Sequence, residues 1–164
     1  MANLPREMPQ ARDGTTFALE TFMPYRLSVL SNRMTRAVAQ VYSRRFSLSA
    51  PEWRTMAVLG RFGAMTANTV IEHTAMDKVR VSRAVSQLLR HGHIVRRTDP
   101  ADRRRAILDL TAQGLGVYRQ IVPLALAVEG ELLAALSEAD RAALEAAVGK
   151  LEGRVAVMPL SDKS

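Results

Sequence analysis

The sequence predicts a mainly α-helical domain that carries one small β-hairpin. Apolar residues recur at three- and four-residue spacing in several segments, which is typical of amphipathic helices. After Gly92 the pattern changes to two short runs rich in branched residues, as expected for two antiparallel strands. The chain has 164 residues, enough for one apolar core and too few for two, so we expect a single structural domain.

Two helices are predicted in the first part of the chain. The first spans residues 17–46, where apolar side chains fall on one helical face. The second spans residues 50–62. Its start is indicated by Ser49 and Glu52, which have the spacing of a capping box, and Gly63 is suited to end it.

A helix-turn-helix pair is predicted next. Thr66 is suited to cap a short helix that ends at residue 74. Asp77 is suited to cap a longer helix that stops at Gly92. Because only residues 75–76 separate the two helices, they form a tightly connected pair.

The hairpin and two more helices complete the predicted order. The strands are residues 93–98 and 105–110, joined by a polar segment. Thr111 then caps a long helix that runs to about residue 136. Two glycines and Pro123 strain this helix, and we expect it to bend at the proline. A second capping signature begins at Ser137 and opens a final helix that ends near residue 154.

The first helix and the last two carry more apolar surface than the small central module can cover. A long exposed apolar stripe usually marks an interface between proteins. We therefore expect these helices to pack against a second copy of the chain.

The basic charge is concentrated in one window. The formal net charge is +7, and residues 78–105 hold nine basic and two acidic side chains, so the rest of the chain sums to zero. A surplus confined to one helix and one hairpin predicts a surface that docks a polyanion. The nine basic residues are Lys78, Arg80, Arg83, Arg90, Arg96, Arg97, Arg103, Arg104 and Arg105.

The composition and motifs exclude several classes. The chain has no cysteine, which excludes disulfides and thiolate metal sites. No apolar run approaches the roughly 18 residues of a membrane span, and the N-terminus lacks the apolar region of a signal peptide, so we expect a cytoplasmic protein with no membrane partner. The three histidines form no metal-ligand motif, and no phosphate loop or nucleophile motif is present. We therefore expect that the protein is not an enzyme and that it binds no cofactor.

The fourth helix has one face with the composition of a DNA-reading surface. Arg80, Arg83 and Gln87 recur at helical spacing opposite the apolar side, and Lys78 and Ser82 lie on the same outer, N-terminal part. In the DNA major groove, arginine suits guanine edges or phosphates, glutamine suits adenine and serine suits phosphate. The alternative is an ordinary solvated helix face.

The tip of the hairpin concentrates arginine on a narrow element. Arg103, Arg104 and Arg105 follow one another there. An arginine that projects beside a recognition helix reaches the adjacent minor groove of DNA. An acidic residue such as Asp102 is unexpected in a loop that faces phosphates. We therefore expect it to have an internal role, such as bonding the turn backbone or orienting Arg104.

A set of residues in the fourth helix and the hairpin carries a family likeness. It consists of Met76-Asp77-Lys78, Val81-Ser82-Arg83-Ala84-Val85, Leu88, Gly92, Asp99-Pro100-Ala101-Asp102-Arg103-Arg104, Leu108, Leu110-Thr111 and Gly114. These residues resemble the recognition helix and wing of MarR-type winged helix-turn-helix regulators, and the likeness covers about residues 17–154. The resemblance implies a winged helix-turn-helix homodimer with interlocked N- and C-terminal helices. It also implies a pseudo-palindromic operator in double-stranded DNA.

The resemblance further implies residue roles and a division of the chain. Ser82 and Arg83 take recognition-helix roles, Arg104 enters the minor groove, and Asp102 tethers the wing. The implied division is a flexible tail at 1–16, dimerisation helices at 17–48 and 111–154, a DNA-binding region at 49–110 and a C-terminal tail at 155–164.

The sequence departs from the family pattern at Val79 and Arg80, where small hydroxyl residues are common. We therefore expect Arg80 to contribute to the choice of operator. The resemblance favours a repressor that a small molecule releases from DNA. A non-specific architectural DNA-binding protein is the alternative, because basic charge and a wing serve it equally well.

The segments 24–33 and 51–59 resemble a subgroup that senses aromatic carboxylic acids or their coenzyme A thioesters. The candidate effector contacts are Tyr25, Arg26, Arg33, Trp53, Met56 and His73. The two arginines lie seven residues apart on one helical stripe and suit a carboxylate or phosphate, and the tryptophan and methionine would supply an apolar wall. The alternative is that the tryptophan packs in the core and the arginines face solvent.

Overall fold

The computed structural model describes residues 17–98, 102 and 105–159. The mainly α-helical class with a hairpin is confirmed. The helices are α1 Met23–Phe46, α2 Ala50–Phe62, α3 Ala67–Thr74, α4 Lys78–Arg90, α5 Ala112–Leu133 and α6 Glu138–Ala156. The strands are β1 Met65–Thr66, β2 Ile94–Thr98 and β3 Ala106–Leu110.

Side-chain caps fix the starts of five helices, as the sequence predicts. In α2, both the backbone N–H and the hydroxyl of Ser49 donate to Oε2 of Glu52, each over 2.6 Å. The other capping side chains each accept from the backbone N–H three residues on, which satisfies a donor that the helix leaves free. They are Thr66, Asp77, Thr111 and Ser137.

Two helix boundaries differ from the prediction. α1 begins at Met23 rather than at residue 17, because Pro24 lacks an N–H and is compatible only with the first turn of a helix. The residues just before it form a turn in which the Thr21 hydroxyl donates to the Ala18 carbonyl. α5 ends at Leu133 rather than near residue 136, and it is continuous through Pro123.

The sheet has a third strand that the sequence did not predict. β1 pairs antiparallel with β3, so the strand order is β1-β3-β2. β2 and β3 pair from Ile94 with Leu110 to Thr98 with Ala106. A strand of two residues is too short to produce a period-two pattern. β1 ties the start of α3 to the hairpin.

One apolar core holds the helix-turn-helix pair, the sheet, α2 and parts of α1 and α5. Its side chains come from every one of these elements, so α4 is fixed relative to the hairpin by packing as well as by the chain. The buried members are Tyr42, Leu48, Met56, Leu59, Met65, Val70, Met76, Val81, Val85, Leu88, Ile94, Leu108 and Ile121.

Helix α6 contributes no buried residue to this core. Leu144, Val148, Leu151 and Val155 recur at helical spacing on it, and each is more than 40% exposed. Within the described residues, no single helix is long and apolar enough to cross a membrane. Only α5 and α6 taken together pass that test, and a bend of 110° separates them.

Thr111 joins three elements at the base of the hairpin. Its hydroxyl donates to the carbonyl of Gly92, over 2.7 Å, and lies 3.2 Å from that of His93. Its backbone N–H donates to the same His93 carbonyl, over 3.0 Å, and its hydroxyl accepts from the N–H of Gly114. The end of α4, the start of β2 and the first turn of α5 therefore meet at one residue.

Candidate nucleic-acid interface

Helix α4 separates a buried apolar face from an exposed polar one. Val81, Val85 and Leu88 are at most 2% exposed. The predicted DNA contact Gln87 is partly buried. The exposed side chains of α4 as far as Ser86 are Lys78, Val79, Arg80, Ser82, Arg83 and Ser86. Most of the predicted recognition residues are thus available to a partner.

Asp77 organises the first turn of α4. Its Oδ1 accepts from the backbone N–H of Arg80 over 2.8 Å, and its Oδ2 lies 3.2 Å from Nε of the same arginine. The Asp77 and Arg80 side chains both stay more than half exposed. The guanidinium is therefore held beside the start of α4 while it faces solvent.

The hairpin adds basic side chains next to α4. Arg96 and Arg97 of β2 are exposed, as is Arg105 at the start of β3. The carbonyl of Asp102 accepts from the N–H of Arg105 over 2.9 Å, which closes part of the turn. The predicted tip residues Arg103 and Arg104 lie outside the described residues.

A cleft of about 360 Å³ lies between α1, α2 and α5. The rings of Trp53 and Tyr118 stack in its wall, with centroids 6.0 Å apart and planes 28° apart. Arg61 and Glu129 add one charge of each sign to an otherwise apolar lining. A stacked aromatic wall with a guanidinium beside it suits a planar ligand that carries an anionic group.

Gly60 makes room for this aromatic wall. An added Cβ there would lie 2.7 Å from Cε2 of Tyr118. The wall continues inward, because the Trp53 ring also lies 5.6 Å from that of Tyr42. Burial raises the pKa of Tyr42, and the nearby charge of Arg54 opposes that rise. Three aromatic rings therefore form a row from the core to the cleft.

A larger groove of about 940 Å³ lies between α1, the start of α2 and α6. Its lining is mostly aliphatic and includes the exposed apolar stripe of α6. Nη2 of Arg54 donates to the Thr35 hydroxyl over 3.1 Å, which links α2 to α1 at the edge of the groove. This groove therefore leaves a mostly aliphatic surface open to solvent.

Comparisons with known proteins find similarity to transcriptional regulators. The MarR family model matches residues 46–105, which include α2, the helix-turn-helix pair and β2. The chain is 26% identical over 129 residues to the transcriptional regulator PecS of Dickeya dadantii, which covers 77% of each chain. Over residues 46–105 the chain is similar to MarR-family regulators.

Solved structures of regulators share the fold of this chain. A MarR/EmrR family regulator from Acinetobacter sp. ADP1 is 24% identical, with a TM-score of 0.78 over 87% of this chain and 100% of that one. BpsR of Bordetella bronchiseptica, whose DNA binding is regulated by 6-hydroxynicotinic acid, is 22% identical. Its TM-score is 0.74, over 84% of this chain and 98% of that one.

The structure does not bring the predicted effector residues together. Trp53 lines both the cleft and the groove. Met56 is fully buried in the core, and His73 stacks on the Phe62 ring with centroids 4.5 Å apart. The remaining candidates lie on α1 and are exposed, and they line neither the cleft nor the groove. They are Tyr25, Arg26 and Arg33.

Sequence reasoning missed Gly60, Arg61 and Tyr118. Tyr118 lies in α5 and reaches the cleft only through tertiary packing, which no local pattern reveals. Arg61 could have been found, because Trp53, Ala57 and Arg61 recur every four residues and so share one face of α2.

His93 is a buried polar side chain at the base of the hairpin, 8% exposed. Within the described residues its Nδ1 has no hydrogen-bond partner. Burial lowers the pKa of His93, as does neighbouring His91, whereas Glu52 opposes this. The imidazole therefore favours its neutral form in the folded protein. The described residues contain no cluster of metal-ligating side chains.

Proposed function

We propose that this protein is a MarR-type regulator that binds DNA sequence-specifically, responds to a ligand and acts as a repressor. The observation that carries the proposal is the division of α4 into a buried apolar face and an exposed face with Lys78, Arg80, Ser82 and Arg83. Such a helix, held rigidly by its apolar side, suits the DNA major groove.

The hairpin supports the same surface. Arg96, Arg97 and Arg105 extend the exposed charge of α4 onto the strands. We propose that Arg103 and Arg104 continue it at the tip, with Arg104 in the minor groove and Asp102 as its tether. Residues 49–110 then form the DNA-binding region.

A second copy of the chain is the partner that the outer helices require. The apolar stripe of α6 and the exposed Leu27 and Leu30 of α1 line the large groove and leave it open to solvent. Aliphatic faces of this length are typical of homodimer interfaces. We propose that residues 17–48 and 111–154 form this interface, with 1–16 and 155–164 as tails.

We propose that the cleft beside Trp53 and Tyr118 binds the effector, an aromatic carboxylic acid. Arg61 would pair with the carboxylate while the ring lies against the aromatic wall. About 360 Å³ is near the lower end of ligand cavities, which favours the free acid over its coenzyme A thioester. BpsR, whose DNA binding responds to an aromatic acid of this size, shares the fold. In the proposed dimer, an acid that binds preferentially when the two recognition helices have a spacing unsuited to DNA would shift the population to that state. DNA would then be released.

The DNA-binding proposal is tested by footprinting on the DNA upstream of the protein's own gene. We expect one discrete protected site that resists excess random DNA. Arg83→Ala should weaken binding to this site by about 1–3 kcal/mol, or roughly fivefold to more than a hundredfold. Arg36→Ala, an exposed arginine of α1, is the matched control and should leave affinity unchanged. Uniform coating of the DNA would instead identify an architectural protein.

The effector proposal is tested by calorimetry with benzoate and 6-hydroxynicotinate, each compared with its amide. We expect the acids to bind more tightly than the amides and to release the operator. Arg61→Gln should abolish the difference between acid and amide, because it removes the charge that pairs with the carboxylate. Equal affinity for acid and amide in the unaltered protein would contradict this assignment.

A further inference from the structure

The residue at the centre of the exposed face of α4 is apolar. Val79 is 57% exposed, whereas the other aliphatic side chains of this helix up to Leu88 are at most 3% exposed. At about 100° per residue, the nine positions between Val79 and Leu88 place them on opposite sides of the helix. Leu88 is fully buried, so Val79 points directly away from the core.

The polar residues that share this central line are Ser82, Arg83 and Ser86, at three, four and seven positions from Val79. The Ser86 hydroxyl donates to the Ser82 carbonyl over 2.9 Å and is thereby used within the helix. Arg80 lies on the flank, where it pairs with Asp77, and Gln87 is partly buried. Val79 therefore occupies the point that comes closest to the floor of a groove occupied by α4.

The major groove offers one apolar group to such a side chain. Thymine carries a C5-methyl group there, and apolar side chains read it by contact. We propose that Val79 is a specificity-determining residue that packs against the C5-methyl of one thymine in each operator half-site. This inference rests on the proposed DNA-binding function.

The test replaces single thymines of the footprinted operator with deoxyuridine, which removes only the methyl group. We expect one position in each half-site at which the exchange weakens binding by about threefold to fivefold, the value of one buried methyl group. Exchange at both half-sites together should weaken binding about tenfold or more. Val79→Ala should bind the thymine operator about as weakly as the unaltered protein binds the doubly substituted one, and it should no longer distinguish the two.

Val79→Ala should fold normally, because the side chain is exposed and alanine favours a helix. Ser86→Ala is the matched control, since it alters the same face without an apolar contact, and it should keep the preference for thymine. An unchanged preference for thymine in Val79→Ala would overturn the inference. A discrete operator at which no deoxyuridine exchange weakens binding would also overturn it and would leave the proposed function standing. If no discrete site is protected, both fall.

Discussion

Gly114 lies so close to His93 that no side chain fits between them. A Cβ added to Gly114 would overlap the carbonyl oxygen of His93 and would lie 2.8 Å from its carbonyl carbon. That carbonyl cannot move freely, because it accepts from the backbone N–H of Thr111. The glycine in the first turn of α5 therefore permits the close packing of α5 on the base of the hairpin.

We expect Gly114→Ala to lower the free energy of unfolding by several kcal/mol, because two backbone segments must separate to admit the methyl group. Gly116→Ala is the matched control. Among the described residues, no atom beyond its own helix backbone lies within 4 Å of the methyl group that it would gain. Alanine favours a helix, so this control should stabilise the protein by up to about 1 kcal/mol. Urea denaturation of both variants measures the difference. Equal stability of the two would show that the contact at Gly114 relaxes at little cost.

Asp77 is expected to act on stability mainly as a helix cap. Asp77→Ala should cost about 1 kcal/mol, because the N–H of Arg80 loses its acceptor. Asp77→Asn keeps a capping oxygen and removes only the ion pair with Arg80, which is exposed and so contributes little. Urea denaturation should therefore place the asparagine variant near the unaltered protein. A loss in Asp77→Asn as large as that in Asp77→Ala would assign the stability to the ion pair.

The contrast between these two sites marks what the sequence can predict. Caps are local, so Thr66, Asp77, Thr111 and Ser137 could be assigned from spacing alone. The charged face of α4 could also be predicted from the sequence, because periodicity and composition define it. The contact of Gly114 with His93 joins two elements through tertiary packing, and local propensity treats this glycine only as a weakness of α5.

The cleft beside Trp53 and Tyr118 could not be predicted from the sequence for a related reason. Its wall is formed by Trp53 from α2 and Tyr118 from α5, and the Tyr118 ring fits there because Gly60 has no side chain. The candidates predicted from the sequence included Arg26 and Arg33, which share a stripe of α1 and line neither the cleft nor the groove. Spacing identifies residues on one helix, whereas a cleft depends on which helices meet.

His93 should make stability depend on pH. Its pKa lies below the usual 6.5 when the protein is folded, mainly because of burial, so the unfolded chain binds the proton more tightly. The free energy of unfolding should therefore fall as the pH drops through 6.5 and should stop falling below the folded pKa. Urea denaturation between about pH 7 and pH 5 measures this slope.

His93→Gln should reduce this slope, because it removes the titrating group. His73→Gln alters an exposed histidine and should retain the slope of the unaltered protein. If the slope survives in His93→Gln, another group must be responsible for it.

Gly60→Ala should impair effector binding without affecting DNA. The added methyl group would displace the Tyr118 ring and so disturb its stack on Trp53. We expect benzoate to bind about twofold to tenfold more weakly, the value of one aromatic contact. Calorimetry measures the effector affinity, and footprinting without effector should show unchanged operator affinity. Gly130→Ala, with open space around its added methyl group, is the control and should bind benzoate normally.

The bonds made by Thr111 have a mechanical consequence. One hydroxyl and one backbone N–H hold the last residues of the helix-turn-helix pair, the first residues of the hairpin and the start of α5. Because these hydrogen bonds all meet at Thr111, we expect the three segments to move together as one rigid body. A small tilt of α5 would then change the direction in which both α4 and the hairpin point. Distance from the joint enlarges that change, so the end of β2 at Thr98 would move farther than its start at Ile94.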